Sequence, residues 1–246
     1  TGIAPSADRI RIMAYDYSVR GIGPLAPMPW VRAIVQYSAS VMDPARLQIG
    51  VPTYGRAWTR LTSSGAYRLS GVCPTDKSSS AYRSLTGMQS PSGSTIPALL
   101  ASVGATGSVE WDAEKQEYTA FYDKAVQWTD SSGASQTCTA KRVLQFLGPQ
   151  GVLARTQLVG EFGLSAAAYW TIGGEDPAQW PVLRAYGQSL APAGTGRKTE
   201  STLRRQPHFL LAHRPSERAI RRSDDWSRAR PLSNFSNQQS AISNQH

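Results

Sequence analysis

The sequence predicts an α/β protein built on a parallel sheet, with a β-rich insert. Three observations carry that expectation. Short apolar runs rich in β-branched and aromatic residues stand at 9–17 (RIRIMAYDY), 47–54 (LQIGVPTY) and 165–172 (SAAAYWTI). Helically spaced apolar residues follow or precede each run, and a long Ser-, Gly- and Thr-rich stretch separates the second run from the third.

Each run, with its β-branched and aromatic content, reads as a strand buried on both faces. Between the first two, Pro29 and Trp30 open a segment in which Val31, Ile34, Val35 and Val41 recur at helical spacing, and Asp43-Pro44 stops it. The insert contains strand-like stretches at 108–111, 118–122 and 126–129. A helix over about 151–162 follows, with Gly163 as its cap, and a last helix is expected over about 176–186, where Pro177 suits the first turn. The order strand, helix, strand, insert, helix, strand, helix is that of right-handed βαβ units. Functional groups in such architectures gather at the C-terminal ends of the strands. Those ends carry Tyr15-Asp16, Tyr54-Gly55-Arg56 and Trp170.

Composition restricts the chemistry. The chain has 246 residues, 40% of them hydrophobic, enough for a sizeable core. Of the formal charge of +9, residues 191–246 supply ten Lys or Arg against four Asp or Glu, so the body is nearly neutral. All three histidines, His208, His213 and His246, fall in that last stretch, which leaves carboxylates, phenols or a substrate's own groups for catalysis in the body. No run of about 18 apolar residues indicates a membrane span. The chain opens on Thr1 without a signal-peptide pattern and is expected to be the end of a longer protein. Cys73 and Cys138 are too few for a disulfide scaffold or a metal site. They fit either one bridge, contributing roughly 4 kcal/mol and suiting a secreted protein, or two free thiols.

MAYDY (13–17), GVPTYGRAW (50–58) and AAYWTIGGED (167–176) resemble the sixth, seventh and eighth barrel strands of family 18 glycoside hydrolases, the chitinase and chitinase-like proteins. WDAEKQEYTAFY (111–122) is similar to the hairpin of the α+β subdomain that this family often carries after its seventh strand. The resemblance implies the C-terminal portion of a (β/α)8 TIM barrel, its last three strands, over residues 1–57 and 147–190, with an α+β insertion subdomain over 58–146. It implies substrate-assisted hydrolysis of β-1,4-linked N-acetylglucosamine polymers, chitin or peptidoglycan. The 2-acetamido carbonyl of the substrate attacks the anomeric carbon there, so no enzyme nucleophile is needed. Tyr15 would hold the acetamido oxygen and Asp16 would contact substrate and the polar network. Met13, Tyr54 and Arg56 would border subsites, with Trp170 as an aromatic plate beneath a sugar ring.

The family's catalytic acid lies in a D-x-x-D-x-D-x-E motif on the fourth strand, and this sequence contains no D-x-D pair. The acid is therefore expected upstream, and this chain alone is expected to be inactive. Glu110, Glu114, Glu117, Glu161 and Glu175 lie in the insert, on a helix or just past the last strand, where none should inherit the role. The alternative is a non-catalytic chitinase-like lectin that kept the groove. No cofactor, nucleic-acid partner or membrane is implied, the oligomeric state is left open, and an extracellular or cell-wall location is expected. The basic tail, 191–246, is expected to be disordered; a basic binding arm or translated non-coding sequence are the other readings.

Overall fold

The computed structural model describes residue 2 and residues 4–104 and 108–190; the expectation for the tail lies outside the described residues. Strand β1 (Ile10–Ile12) leads through a long loop to helix α1 (Met28–Val41), which begins with Pro29 in its first turn. Strand β2 (Leu47–Pro52) follows and is buried along its whole length. Strands β3 (Gly55–Thr59) and β4 (Leu69–Gly71), helices α2 (Ser80–Thr86) and α3 (Ile96–Ser102), and strands β5 (Val109–Asp112), β6 (Glu117–Thr129) and β7 (Ser135–Phe146) come next. Helix α4 (Gly148–Phe162), strand β8 (Ala166–Trp170) and helix α5 (Gln179–Ser189) complete the described part.

Two sheets result. In the first, β2 lies between β1 and β8, and both pairings are parallel: Ile12 faces Ile49, Gly50 faces Ala168 and Pro52 faces Trp170. Leu47, Ile49, Val51, Ala167 and Tyr169 share one side of this sheet and pack into a single core with Val31 and Val35 of α1, Val152 and Leu158 of α4 and Leu183 of α5. Residues of opposite parity, Gly50, Pro52, Ala168 and Trp170, therefore point to the other side. Helix α4 stops at Gly163, whose left-handed φ of 66° lets its N–H return to Val159.

The second sheet is antiparallel, in the order β3-β7-β6-β5, with β4 on the far stretch of β7. Its centre is the β6–β7 hairpin, and α3 covers one end through Ile96 and Leu100. Arg142 of β7 is fully buried. It donates to Thr59 Oγ1 (2.8 Å) and to the carbonyls of Ala57 (2.9 Å), Gly87 (3.0 Å) and Leu85 (3.1 Å), binding the end of α2 to the sheet. Cys73 and Cys138 form a disulfide, with Cα atoms 4.8 Å apart, that ties the segment after β4 to β7.

Several expectations need correction. The first strand pairs only over Ile10–Ile12, short of the 9–17 run, and Asp16 within that run adopts a left-handed φ of 61°. The stretches 118–122 and 126–129 are one strand, β6, since its partner β7 continues past the polar residues Asp123 and Lys124. The sequence reading expects an α+β insert but places no element at β4, β7, α2 or α3. Residues 55–57, assigned to the parallel part, belong to β3, which pairs with β7. The unbroken run GVPTYGRAW holds no compositional break to mark that change of partner. Among the described residues, no helix is long and apolar enough to cross a membrane.

Candidate functional site

Asp16 is the centre of a polar cluster at the C-terminal end of the first sheet. Three donors converge on its Oδ1: Tyr54 Oη at 2.5 Å, Arg56 Nη2 at 2.6 Å and Arg56 Nε at 2.9 Å. The remaining amino group of Arg56 donates to Ser90 Oγ at 3.3 Å and lies 3.5 Å from Met88 Sδ, while its guanidinium carbon sits 5.5 Å from the Tyr54 ring centroid. Tyr54 and Arg56 reach Asp16 together because the chain leaves β2 at Pro52 and enters β3 at Gly55, directly beside the end of β1. Charge-assisted bonds of this kind are short and strong, and several on one oxygen fix the carboxylate's orientation.

Tyr15 meets Tyr54 edge-on, with ring centroids 6.5 Å apart and planes at 85°. A Cβ added at Gly50 would lie 2.8 Å from Tyr15 Cε1 and 2.9 Å from the Ile12 carbonyl oxygen, so the absence of a side chain at Gly50 is what seats the Tyr15 ring. That contact puts Tyr15 on the side of the sheet toward which Gly50 points, the side shared by Trp170. Burial, then the Asp16 charge, raise the Tyr15 phenol above its ordinary value of 10, with Arg11 acting in the opposite sense. Burial also raises Tyr54, and its hydrogen bond to Asp16 and that residue's charge add to the effect. Both phenols therefore remain neutral donors at physiological pH. For Arg56, burial acts to lower the pKa, but the hydrogen bond and charge of Asp16 outweigh it, so the guanidinium stays charged.

Trp170 ends β8 with 47% of its surface exposed, and Met13, the residue after β1, is 71% exposed. The Trp170–Thr171 peptide is cis, and Thr53 N donates to Trp170 O at 2.7 Å, holding β8 to the end of β2. An open aromatic face thus stands on the same side of the sheet as a cluster of fixed neutral and charged donors. The arrangement suits a ligand with apolar faces and a rim of hydroxyl and amide groups.

The structure brings Tyr15, Asp16, Tyr54 and Arg56 into one network and puts Trp170 at the neighbouring strand end. Of the glutamates, Glu161 pairs with Arg32, Glu175 Oε2 accepts from Gly173 N at 2.6 Å, and Glu117 is buried against α4. Asp176 caps the approach to α5 by accepting from Ala178 N at 2.9 Å. Gly50, Met88 and Ser90 escaped the sequence reading. Gly50 carried a signal, a lone glycine inside an apolar strand, whereas Met88 and Ser90 come from a loop without pattern. An apolar cavity of about 220 Å³ between Tyr54, α3, Phe146 and the start of α4 includes none of Tyr15, Asp16, Arg56 or Trp170, so the cluster and not this cavity is the candidate site. Among the described residues no group of three or more His, Cys, Asp or Glu is placed to hold a metal ion.

No protein-family model matches the sequence. The fold is that of the chitinase-like family 18 glycoside hydrolases. Among solved structures, the chain is similar to a chitinase from Chromobacterium violaceum ATCC 12472 (TM-score 0.54, 21% identity, 74% of this chain and 46% of that one). It is also similar to the spore cortex-lytic enzyme SleL of Bacillus cereus (TM-score 0.51, 20% identity, 74% and 35%). A class V chitinase from Pseudomonas fluorescens Pf-5 matches comparably (TM-score 0.50, 20% identity, 74% and 49%). The chain spans less than half the length of each of these three proteins.

Proposed function

We propose that the chain is the C-terminal part of a glycosidase that cleaves β-1,4-linked N-acetylglucosamine polymers, chitin or peptidoglycan, by substrate-assisted hydrolysis. The observation that carries this reading is the convergence of Tyr54 and Arg56 on Asp16 beside Tyr15, on the side of the sheet that exposes Trp170. In this reading the first sheet supplies the last three strands of a (β/α)8 barrel and the second sheet is the insertion subdomain, with the change of partner at residues 53–54. Tyr15, kept protonated by its surroundings, donates to the 2-acetamido oxygen and holds it in line with the anomeric carbon. Asp16, its orientation fixed by three donors, contacts the acetamido group and steadies the positive charge that develops on forming the oxazolinium ring. Trp170 and Met13 form the apolar floor of a sugar subsite, while Tyr54 and Arg56 border its neighbour. The disulfide supports an extracellular or cell-wall location.

The leaving-group oxygen needs an acid, and the D-x-x-D-x-D-x-E motif is absent from this sequence, so the acid is supplied from outside it. Such an acid typically contributes 10²- to 10⁴-fold. The test is to assay the chain alone, and the chain fused to an upstream half-barrel carrying the acidic motif, on a chromogenic N-acetylglucosamine oligomer. The fusion turns over and the chain alone does not; Asp16→Asn lowers the fusion's rate at least tenfold. Turnover by the chain alone, abolished by mutating one of its own glutamates, overturns the assignment.

A further inference from the structure

Glu117, the first residue of β6, is 1% exposed and belongs to the second sheet, yet its carboxylate is spent on the loop that follows Asp16. Its Oε2 accepts from Leu25 N at 2.8 Å and its Oε1 from Ala26 N at 2.6 Å; Leu25 and Ala26 are both fully buried. Leu25 O in turn accepts from Tyr17 N at 2.9 Å, one residue beyond Asp16. Arg155 of α4, also buried, holds the acceptor edge of the same junction. Its Nη2 donates to Ala26 O and to Lys115 O (3.0 Å) and lies 3.4 Å from Glu117 Oε1, while its Nη1 donates to Gln116 O (2.8 Å) and Gly151 O (2.9 Å). Met28 N, at the start of α1, donates to Lys115 O at 3.0 Å.

The loop leaving the candidate site is thus bonded through its N–H groups to Glu117 and through a carbonyl to Arg155. Asp16 needs such anchoring, because a left-handed φ at a non-glycine residue persists only where the flanking chain is fixed. We propose that Glu117 is a positioning residue through which the second sheet sets the conformation of Tyr15 and Asp16. The second sheet then acts on the site from two directions: Arg56 of β3 from one side of Asp16, with Tyr54 just before that strand, and Glu117 from the other. Chemistry selects a carboxylate here. Two N–H donors face one side chain, and a carboxylate offers two acceptors and no donor, whereas an amide would turn its NH₂ against one of them.

The proposal rests on the reading of Tyr15 and Asp16 as a sugar site, and the experiment separates the two. The full chain carrying 5-fluorotryptophan is compared with its Glu117→Gln and Leu85→Ala variants by thermal melting, by binding of an N-acetylglucosamine trimer and by ¹⁹F NMR. The resonance of Trp30, assigned with Trp30→Phe, reports the loop because Trp30 packs edge-on to Tyr17 at 5.2 Å. Leu85 lies in a separate core with Cys138 and Ala140 and serves as the control for simple destabilisation. The expected result is that Glu117→Gln moves the Trp30 signal and weakens trimer binding at least tenfold, while Leu85→Ala lowers the melting temperature and leaves both within error or twofold. A Glu117→Gln variant that binds within twofold, or whose Trp30 signal is unchanged, overturns the proposal. If the parent binds no trimer but Glu117→Gln alone moves Trp30, the positioning role stands and the sugar-site reading fails. Should Glu117→Gln not fold, Glu117→Asp keeps the charge opposite Arg155 while withdrawing both acceptors by one bond, and is held to the same outcomes.

Discussion

Asp16 gathers three donors on one oxygen, and Asp16, its donors Tyr54 and Arg56, and the nearby Trp170 could be picked out in the sequence because each stands at a strand end in a recognisable phrase: YDY, TYGR, YWT. What holds those residues was not legible. Glu117 was visible as a carboxylate, but its partners at Leu25 and Ala26 lie more than ninety positions away, and no local pattern links them. Gly50 is the clearest residue-scale test. An alanine methyl there would meet both the Tyr15 ring and the Ile12 backbone, and the backbone cannot yield as a flexible side chain would. Gly50→Ala is expected to cost about 1–3 kcal/mol in urea unfolding, as overpacking does, and to weaken oligomer binding by displacing Tyr15. Unchanged binding would separate Tyr15 from the site.

At the scale of elements, the β6–β7 hairpin turns on Asp130. Its Oδ1 accepts from Ser132 Oγ (2.5 Å), Ser132 N (2.9 Å) and Ala134 N (3.0 Å), and its Oδ2 from Gln136 Nε2 (2.7 Å). The hydrogen bonds from Ser132 and Gln136 lead in lowering its pKa from 3.8 to about 2. A depressed carboxylate stabilises the fold above its unfolded value, and the contribution is lost as pH falls toward the folded one. Urea midpoints should therefore decline between about pH 4 and about pH 2, and Asp130→Asn should flatten that limb. Replacing Cys73 and Cys138 by serine releases a 65-residue loop and is expected to cost roughly 4 kcal/mol by the chain-entropy estimate, read as a lower melting temperature. The hairpin also shows where pattern reading stopped. Strand β6 divided at Asp123-Lys124 in the sequence because two charges interrupt its apolar run, yet Lys141 pairs with Asp123 and Lys124 reaches Ser84, so both charges are accommodated without breaking the ladder.

For the molecule as a whole, the parallel sheet was predictable because βαβ order is local, whereas the second sheet joins β3 to β7 across almost the full insert, a pairing no short window contains. Among the described residues, β1 and β8 each pair only with β2, so both outer edges of the first sheet present unpaired backbone groups. Such edges recruit other strands. The chain alone is expected to elute as oligomers in size-exclusion chromatography with light scattering, and fusion to a complementary half-barrel to return it to a monomer. A monodisperse monomer of the chain alone would show the edges to be protected. The order β1-β2-β8 also has a consequence for synthesis on the ribosome. The central strand β2 is complete long before β8 emerges, and at typical elongation rates the wait is on the order of ten seconds. In that interval every strand of the inserted sheet and both cysteines of the disulfide are synthesised, so the nascent chain holds the whole inserted sheet while the strand that carries Gly50 still lacks its second neighbour.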